Sequence, residues 1–208
     1  MYKVIRMVKR GDKLPAEFRQ EWLERNRELR KASSRLVASV AADGKVLGED
    51  SFDGMSALYF NTAAEARAAE GKSGDKSALS AIMSDERVFF ERMGVTLKPL
   101  GQIKVVLTGV RKKDMTPAQF KEASLKGYSK CDSKTLMESL IQKIVASFTA
   151  PEDKDAPFDL MLEIYFASAD EVKATFASPV IGQLRKDEET LVDINAPEIR
   201  IVAEEHNL

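Results

Sequence analysis

Three residues spaced four apart, Phe18, Trp22 and Asn26, could build one small site. On a helix of about 100° per residue this spacing puts them on one face, with an amide beside two aromatic rings. The aromatic rings are either core residues or the wall of an apolar pocket. The Asn26 amide either meets water or caps a carbonyl at the edge of the stripe, or it points into that pocket and orients a ligand carbonyl or hydroxyl.

Four further side chains are candidates for the same site. Tyr59, which precedes Phe60, either packs with its hydroxyl at a wet edge or acts as an acid beside a pocket, and Tyr128 could act in the same way. Arg6 alternates with apolar residues on a predicted strand. It either faces solvent at a sheet edge or, inside a barrel, requires an anionic partner from the protein or from a carboxylate ligand. We therefore predict Tyr59 and Asn26 as catalytic residues, and Arg6, Trp22, Phe60 and Tyr128 as substrate-binding residues.

The composition excludes several classes of protein. Of 208 residues, 44% are hydrophobic and 31% are charged, the formal net charge is -1, and Lys and Arg are spread along the chain. No basic stripe is available for nucleic acid or for an anionic membrane surface. The single cysteine, Cys131, excludes an internal disulfide and fits a reducing compartment. The N-terminus lacks the apolar run of a signal peptide, and no stretch of about 18 apolar residues occurs, so a cytoplasmic protein is predicted.

The sequence lacks the residues that usually bind a metal ion or a cofactor. The one histidine, His206, lies close to the C-terminus, and no cluster of His, Cys and carboxylates has the spacing of a metal site. A glycine-rich phosphate-binding loop of the G-x-x-x-x-G-K-[ST] type is also missing. We therefore expect no metal, haem or other cofactor.

The chain repeats itself. Residues 4–18 lie over residues 106–120 without a gap, and residues 57–69 lie over residues 163–175. Self-similarity of this kind indicates two copies of one structural unit. The matches pair Val4 with Val106, Arg6 with Thr108, Tyr59 with Tyr165, and Asp85-Glu86 with Asp187-Glu188.

Each copy predicts the element order βαββαβ, the ferredoxin-like plan. Pro15 and Pro117 mark the start of the first helix of each copy, and a capping box marks the start of the second. One such unit leaves one sheet face bare. We therefore predict an α+β fold in which repeats 1–101 and 102–208 pack sheet to sheet as an α+β barrel within the chain. The predicted strands are residues 2–9, 35–41, 56–60 and 95–100 in the first copy, and 103–111, 143–148, 159–166 and 198–204 in the second.

The opening of the first copy resembles the EthD family, which belongs to the dimeric α+β barrel superfamily. A first strand ending in "KR", a turn, and a helix carrying Phe18 and Trp22 match the family pattern F-x-x-x-W-x-x-x-H, and the tandem order extends the resemblance over the whole chain. The family's histidine position is Asn26 here, an amide that does not titrate near neutral pH. Chemistry that depends on the family's imidazole is therefore not carried over. In the second copy the three positions are Phe120, Ser124 and Tyr128.

The resemblance implies a protein that binds a small hydrophobic or aromatic molecule in a degradation or tailoring pathway. One alternative is a cofactor-independent oxidoreductase, lyase or isomerase that transforms the molecule by oxygenation, decarboxylation or isomerisation. The other is a non-catalytic binding or assembly module that keeps the fold and lacks the family's histidine. Convergence of Arg6, Tyr59 and Tyr128 on one cavity favours the enzyme, and a closed core at Trp22 favours the module. A site is expected in the first copy, where Trp22 and Asn26 combine an apolar wall with a polar group; a homodimer is left open.

Overall fold

The computed structural model describes residues 1–71, 78–129 and 133–208. Within these ranges the chain forms eight strands, six α-helices and a short 3-10 turn at Arg30–Ala32. The strands are β1 (Tyr2–Val8), β2 (Arg35–Ala41), β3 (Gly54–Phe60), β4 (Leu79–Glu91), β5 (Leu100–Gly109), β6 (Lys143–Thr149), β7 (Leu160–Phe166) and β8 (Arg200–Asn207). The helices are α1 (Pro15–Leu29), α2 (Ala63–Gly71), α3 (Pro117–Ser129), α4 (Ser133–Glu138), α5 (Ala169–Phe176) and α6 (Pro179–Glu188). Among the described helices, none is both long enough and apolar enough to cross a membrane.

The eight strands close into one antiparallel barrel in the order β1-β3-β2-β8-β5-β7-β6-β4. The first four strands and the last four strands each keep the order of a ferredoxin-like sheet, β4-β1-β3-β2 and β8-β5-β7-β6. Two seams, β2 against β8 and β4 against β6, join these sheets along their edges. The predicted α+β barrel within one chain is confirmed, while the division into repeats at 1–101 and 102–208 stays a prediction.

Side-chain caps begin the second helix of each four-strand unit where the sequence predicts them. Thr62 Oγ1 accepts the Glu65 N–H at 3.2 Å, and the Glu65 carboxylate accepts the Thr62 N–H at 3.1 Å. Ser168 Oγ accepts the Glu171 N–H at 3.2 Å in the same way. The predicted caps at Thr62 and Ser168 are confirmed, although the Glu171 carboxylate accepts the N–H of Ala167 instead of that of Ser168. The caps fix the residues at which α2 and α5 begin.

The last strand of the first unit differs from the prediction. β4 ends before the strand predicted at 95–100, most of which lies in the connection to β5. The pairing of β4 with β6 shifts register between Ser84 and Arg87, and Asp85 has a φ of 49°. This bulge breaks the period-two alternation by which a strand is recognised. The predicted match between the Asp-Glu pairs of the two copies is wrong as well, because the pair at Asp85 lies in β4 and the pair at Asp187 lies in α6.

The strand pairing also corrects the predicted alignment of the first strands. Lys3 lies opposite Tyr59, and Lys104 lies opposite Tyr165. Lys3 therefore corresponds to Lys104, and the predicted alignment is one residue out along β1 and β5. Successive residues of a strand face opposite sides of the sheet. An alignment that is one residue out therefore matches an interior residue of one copy with an outward-facing residue of the other.

Two predicted matches change as a result. Val4 corresponds to Val105, and Arg6 corresponds to Leu107 instead of Thr108. The helices α1 and α3 keep the predicted alignment. The additional residue of the second unit therefore lies in the turn between β5 and α3, where insertion costs little.

The barrel wall has two faces with different surroundings. Ile5 and Met7 of β1 point into the barrel, in a core with Met55, Met161 and Ile201. The opposite face is covered by helices, with α1 on β2, α2 on β1 and α5 on β7. Because the side chains of a strand alternate, each residue faces either the interior or the helices.

Candidate functional site

A cavity of about 280 Å³ opens on the outer face of β5 and β7, under the segment that leads from α6 to β8. Its floor is apolar and is formed by Leu107, Leu160 and Leu162. An apolar floor with a few polar groups at the mouth is typical of a small-molecule site. We call it the β5–β7 cavity. The charged side chains at its mouth are Arg185, Glu188, Glu189, Asp193 and Glu198.

The segment after α6 is held against β5 as a fixed wall. The Asp193 N–H donates to the Val110 carbonyl at 2.8 Å. A β-carbon on Gly109 would lie 3.1 Å from Val192 Cγ1, so the glycine allows the segment to approach the strand closely. The β5–β7 cavity is therefore formed by the fold itself.

The mouth of the β5–β7 cavity is charged and partly open to solvent. Arg185 Nη2 donates to Glu198 Oε1 at 2.9 Å, and both side chains are about half exposed. An exposed ion pair of this kind contributes little stability, so it can separate when a ligand enters. The mouth has four carboxylates and one guanidinium, and its formal charge is therefore negative.

The space under α1, where the sequence predicts a site, is filled by aromatic side chains. Phe18 and Trp22 stack with their ring centroids 5.8 Å apart. They lie directly on β3, because a β-carbon on Gly54 would be 2.8 Å from Phe18 Cζ and 3.0 Å from Trp22 Cε2. Trp22 Nε1 donates to the Ser39 carbonyl at 3.1 Å, which satisfies the polar atom of the indole. Trp22 therefore closes a core here.

Asn26 lies in this core and not at a wet edge. Its side chain has 0% exposure, and its Nδ2 donates to the Trp22 carbonyl one turn back at 2.7 Å. Its Oδ1 is buried and has no hydrogen-bond partner among the described residues. Of the alternatives considered for Asn26, the contact with a carbonyl is the one found. The amide is buried because α1 packs on β2 and covers the edge of the stripe.

The other predicted site residues lie on two faces of the barrel wall. Arg6 is buried on the outer face, where its guanidinium donates to the Ala69 carbonyl of α2. Burial, reinforced by the positive charge of Arg25, lowers the pKa of Arg6. Tyr59 points into the barrel, whereas Phe60 is buried on the outer face. The sequence predicts Arg6 either at a sheet edge or in the barrel interior, and it is found in neither place. β1 lies between β3 and β4 and turns this residue towards the helices.

Arg6 and Tyr59 therefore do not converge on one cavity, which was the condition that favoured an enzyme. Tyr128 belongs to α3, but its side chain lies outside the part of the chain that the structure describes, and so does Cys131. Within residues 1–71, 78–129 and 133–208, no group of three or more His, Cys, Asp or Glu could hold a metal ion.

A chain of charged side chains inside the barrel was missed by the sequence reasoning. Lys3 Nζ donates to Glu163 Oε2 at 2.9 Å, and Lys104 Nζ donates to Glu163 Oε1 at 2.7 Å. Glu86 accepts from Lys3 at 2.8 Å, and Glu205 accepts from Lys104 at 2.6 Å. All are buried except Glu86, whose side chain is 38% exposed. We call these five residues the interior network.

Two tyrosines donate to the interior network. Tyr59 Oη donates to Glu86 at 3.2 Å, and Tyr165 Oη donates to Glu205 at 3.0 Å. Burial raises the pKa of both phenols, and the negative charges of Glu163 and Glu205 raise the pKa of Tyr165 further. Both tyrosines are therefore protonated hydrogen-bond donors at neutral pH.

Charge pairing outweighs desolvation in the interior network. Burial is the largest influence on Lys3 and Lys104 and by itself lowers the pKa, but Glu163 and the other carboxylates raise the pKa of both ammonium groups above its usual value. Burial by itself raises the pKa of Glu163, but Lys104 and Lys3 lower that pKa far below its usual range. The three groups are charged at neutral pH and satisfy one another, as buried ions must.

The sequence does contain a signal for the interior network. Once β1 and β5 are aligned by strand pairing, Lys3 and Lys104 occupy the same position, each opposite a tyrosine. A lysine at one position of both copies, on a face that is otherwise apolar, indicates a buried partner. The alignment that is one residue out concealed this signal.

Residues 112–195 match the family model of the EthD domain. The resemblance predicted from the sequence is confirmed, although the match covers the second copy and not the first, where the F-x-x-x-W pattern lies. The matched range includes Arg185, Glu188 and Glu189 at the mouth of the β5–β7 cavity. No match is found among curated protein sequences.

Solved structures share the fold over nearly the whole chain. An anthrone oxidase-like protein is 7% identical with a TM-score of 0.65, covering 99% of this chain and 92% of that one. A mutant of chlorite dismutase from Candidatus Nitrospira defluvii is 11% identical with a TM-score of 0.56, covering 98% of this chain and 90% of that one. A major regulator of staphylococcal pathogenesis is 9% identical with a TM-score of 0.51, covering 99% of each chain. At these identities the likeness shows the fold alone.

Proposed function

We propose that the protein binds a small hydrophobic or aromatic molecule in the β5–β7 cavity. The observation that carries this proposal is an apolar floor and a charged mouth in one preformed cavity. Its volume of about 280 Å³ lies between the ~150 Å³ that holds benzene and the larger sites of drug-sized ligands, which favours a ligand of one or two rings. The EthD match over part of the mouth supports a site in this part of the chain.

The charges at the mouth restrict the polar groups of the ligand. The mouth is negative overall, and Arg185 is already paired with Glu198. Carboxylates accept hydrogen bonds and repel anions. A neutral ring that carries hydroxyl or amino groups therefore suits the cavity better than an aromatic carboxylate.

Binding without conversion is the role that we favour for the cavity. The closed core at Trp22, and the separation of Arg6 from Tyr59 by the barrel wall, support a module that lacks the chemistry expected of these residues. Cofactor-free conversion is the second candidate, because a carboxylate at the mouth can accept a proton from a ligand hydroxyl. The solved structures of this fold include both an oxidase-like protein and a regulator, so the fold does not decide between the two roles.

Titration with a neutral fluorescent probe of two rings, 1-naphthylamine, tests the proposed site. Leu107→Trp fills the floor of the cavity, so we expect the probe to bind at least roughly tenfold more weakly, a loss of about 1.4 kcal/mol. Ile103→Trp is the matched control, because Ile103 lies on the same face of β5 as Leu107 but does not line the cavity. Equal binding by wild type and Leu107→Trp, with both proteins folded, would place the probe elsewhere and refute the site.

A second measurement separates binding from catalysis. Native mass spectrometry of the purified protein identifies a co-purifying ligand, and chromatography after incubation shows whether that ligand is converted. We expect the ligand to be recovered unchanged. Conversion that is lost in Glu189→Gln, with binding retained, would establish the enzymatic role instead.

A further inference from the structure

The polar groups inside the barrel come in pairs related by the two four-strand units. Lys3 and Lys104 occupy equivalent positions, and so do Tyr59 and Tyr165. Glu86 accepts from Lys3 and Tyr59 in one unit, and Glu205 accepts from Lys104 and Tyr165 in the other. Each unit thus supplies one lysine, one tyrosine and one acid.

Glu163 is the exception, because it has no acidic counterpart. It lies opposite Val106 and Val145, and the equivalent residue of the first unit, opposite Ile5 and Val37, is Ala57. Its two carboxylate oxygens bind one lysine each, one from either unit. The centre of the barrel therefore holds one carboxylate for two ammonium groups.

A barrel built from two like units would not reproduce this balance. Two copies of the first unit would each carry Lys3 and Ala57, so the two lysines would have no central acid between them. Two copies of the second unit would each carry the Glu163 carboxylate, so two carboxylates would meet at the centre of the barrel, where the protein has one. Buried ions that lose a partner, or that face a like charge, are costly.

We propose that Glu163 makes the inner face of β5–β8 selective for β1–β4 and unfavourable for a second copy of itself. The partner recognised is a sheet that presents an ammonium group at Lys3 and a small side chain at Ala57. The proposal rests on the division of the chain into two units and is independent of the proposed ligand.

A double-mutant cycle in the full chain tests the selectivity. Glu163→Ala imitates the pairing of two first units, and Ala57→Glu imitates the pairing of two second units. We expect each single variant to lower the melting temperature by roughly 10 °C. The double variant Ala57→Glu/Glu163→Ala moves the single acid to the other unit, and we expect it to recover at least half of the combined loss, because the same two lysines are again paired.

A neutral pair separates charge from volume. Ala57→Gln/Glu163→Ala restores nearly the same volume without the carboxylate, so we expect it to stay as unstable as Glu163→Ala. Recovery by this neutral pair, or additive losses in the charged pair, would overturn the proposal. If Glu163→Ala does not fold, Glu163→Gln replaces it in the cycle, and a melting temperature equal to that of wild type would count against the proposal in the same way.

Discussion

The amide of Asn26 is a buried side chain on which the stability of the core does not depend. Its Nδ2 binds the Trp22 carbonyl, which lies within α1, where backbone N–H groups also bond such carbonyls. Its Oδ1 is buried without a partner among the described residues, and an unpaired buried acceptor is unfavourable. The amide therefore contributes less stability than its burial suggests.

Replacement of Asn26 by Leu tests this point. The change removes the unpaired oxygen and keeps a similar volume, so we expect the melting temperature in a thermal scan to stay the same or rise by a few degrees. Asn26→Asp is the counterpart, since burial would raise the pKa of its carboxyl. We expect its stability to fall as the pH rises from about 4 to 8. A Leu variant that melts well below wild type would show that the amide is needed.

At the scale of elements, the approach of α1 to the sheet depends on one residue of β3. Gly54 lies under the stacked rings of Phe18 and Trp22, and a β-carbon there would be 2.8 Å from Phe18 Cζ. A helix that carries two large aromatic side chains can lie this close only because the strand has no side chain at this point.

The variant Gly54→Ala should displace α1 from the sheet. Overpacking of this kind costs about 1–3 kcal/mol, so we expect the melting temperature to fall by roughly 3–8 °C. Gly127→Ala in α3 is the control, because its β-carbon meets nothing within 4 Å, and alanine favours a helix more than glycine does. Calorimetry of both variants checks the difference in sign. Equal melting temperatures for Gly54→Ala and wild type would mean that the contact relaxes without cost.

The accuracy of the sequence predictions follows from how local each signal is. The strand predicted at 35–41 is found as β2, and the capping residues Thr62 and Ser168 start α2 and α5, because alternation and caps act over a few neighbouring residues. β4 was missed because its bulge at Asp85 interrupts the alternation. The face of Arg6 depends on a strand register that partners elsewhere in the chain set.

The candidate site was harder to predict for a related reason. Phe18 and Trp22 share a helix face, as expected, but the sequence does not show that Gly54 lets these two rings pack directly on the strand. The β5–β7 cavity combines Leu107, Leu162 and the segment after α6, which are far apart along the chain. A cavity is the space that such elements leave between them, and no local pattern encodes it.

At the scale of the whole molecule, the interior network makes the stability of the protein depend on pH under both acidic and alkaline conditions. The pKa of Glu163 is lowered, so this group contributes stability above its unfolded pKa of about 4.3 and loses it as the pH falls further. The pKa values of Lys3 and Lys104 are raised, so these groups contribute stability below about pH 10 and lose it as the pH rises further.

We therefore expect a plateau of stability between about pH 5 and pH 10. Glu163→Gln should be less stable than wild type on this plateau, and its stability should fall less steeply below about pH 4, because one depressed carboxylate is gone. Urea unfolding at several pH values measures both effects. Glu28→Gln is the exposed control and should keep the acid slope of wild type. An unchanged acid slope in Glu163→Gln would contradict the assigned coupling.

Closure of the barrel also determines how copies of this protein can meet. Each of the eight strands has a neighbouring strand on both sides, so the described sheet has no free edge strand along which another chain could add. Templated growth from strand to strand is thereby blocked in the folded state. Contact between copies must use exposed side chains, such as Val88 of β4, and those of the helices and connecting segments. Assembly can thus be gained or lost by a few outward-facing substitutions, while the backbone pairing of the barrel stays the same.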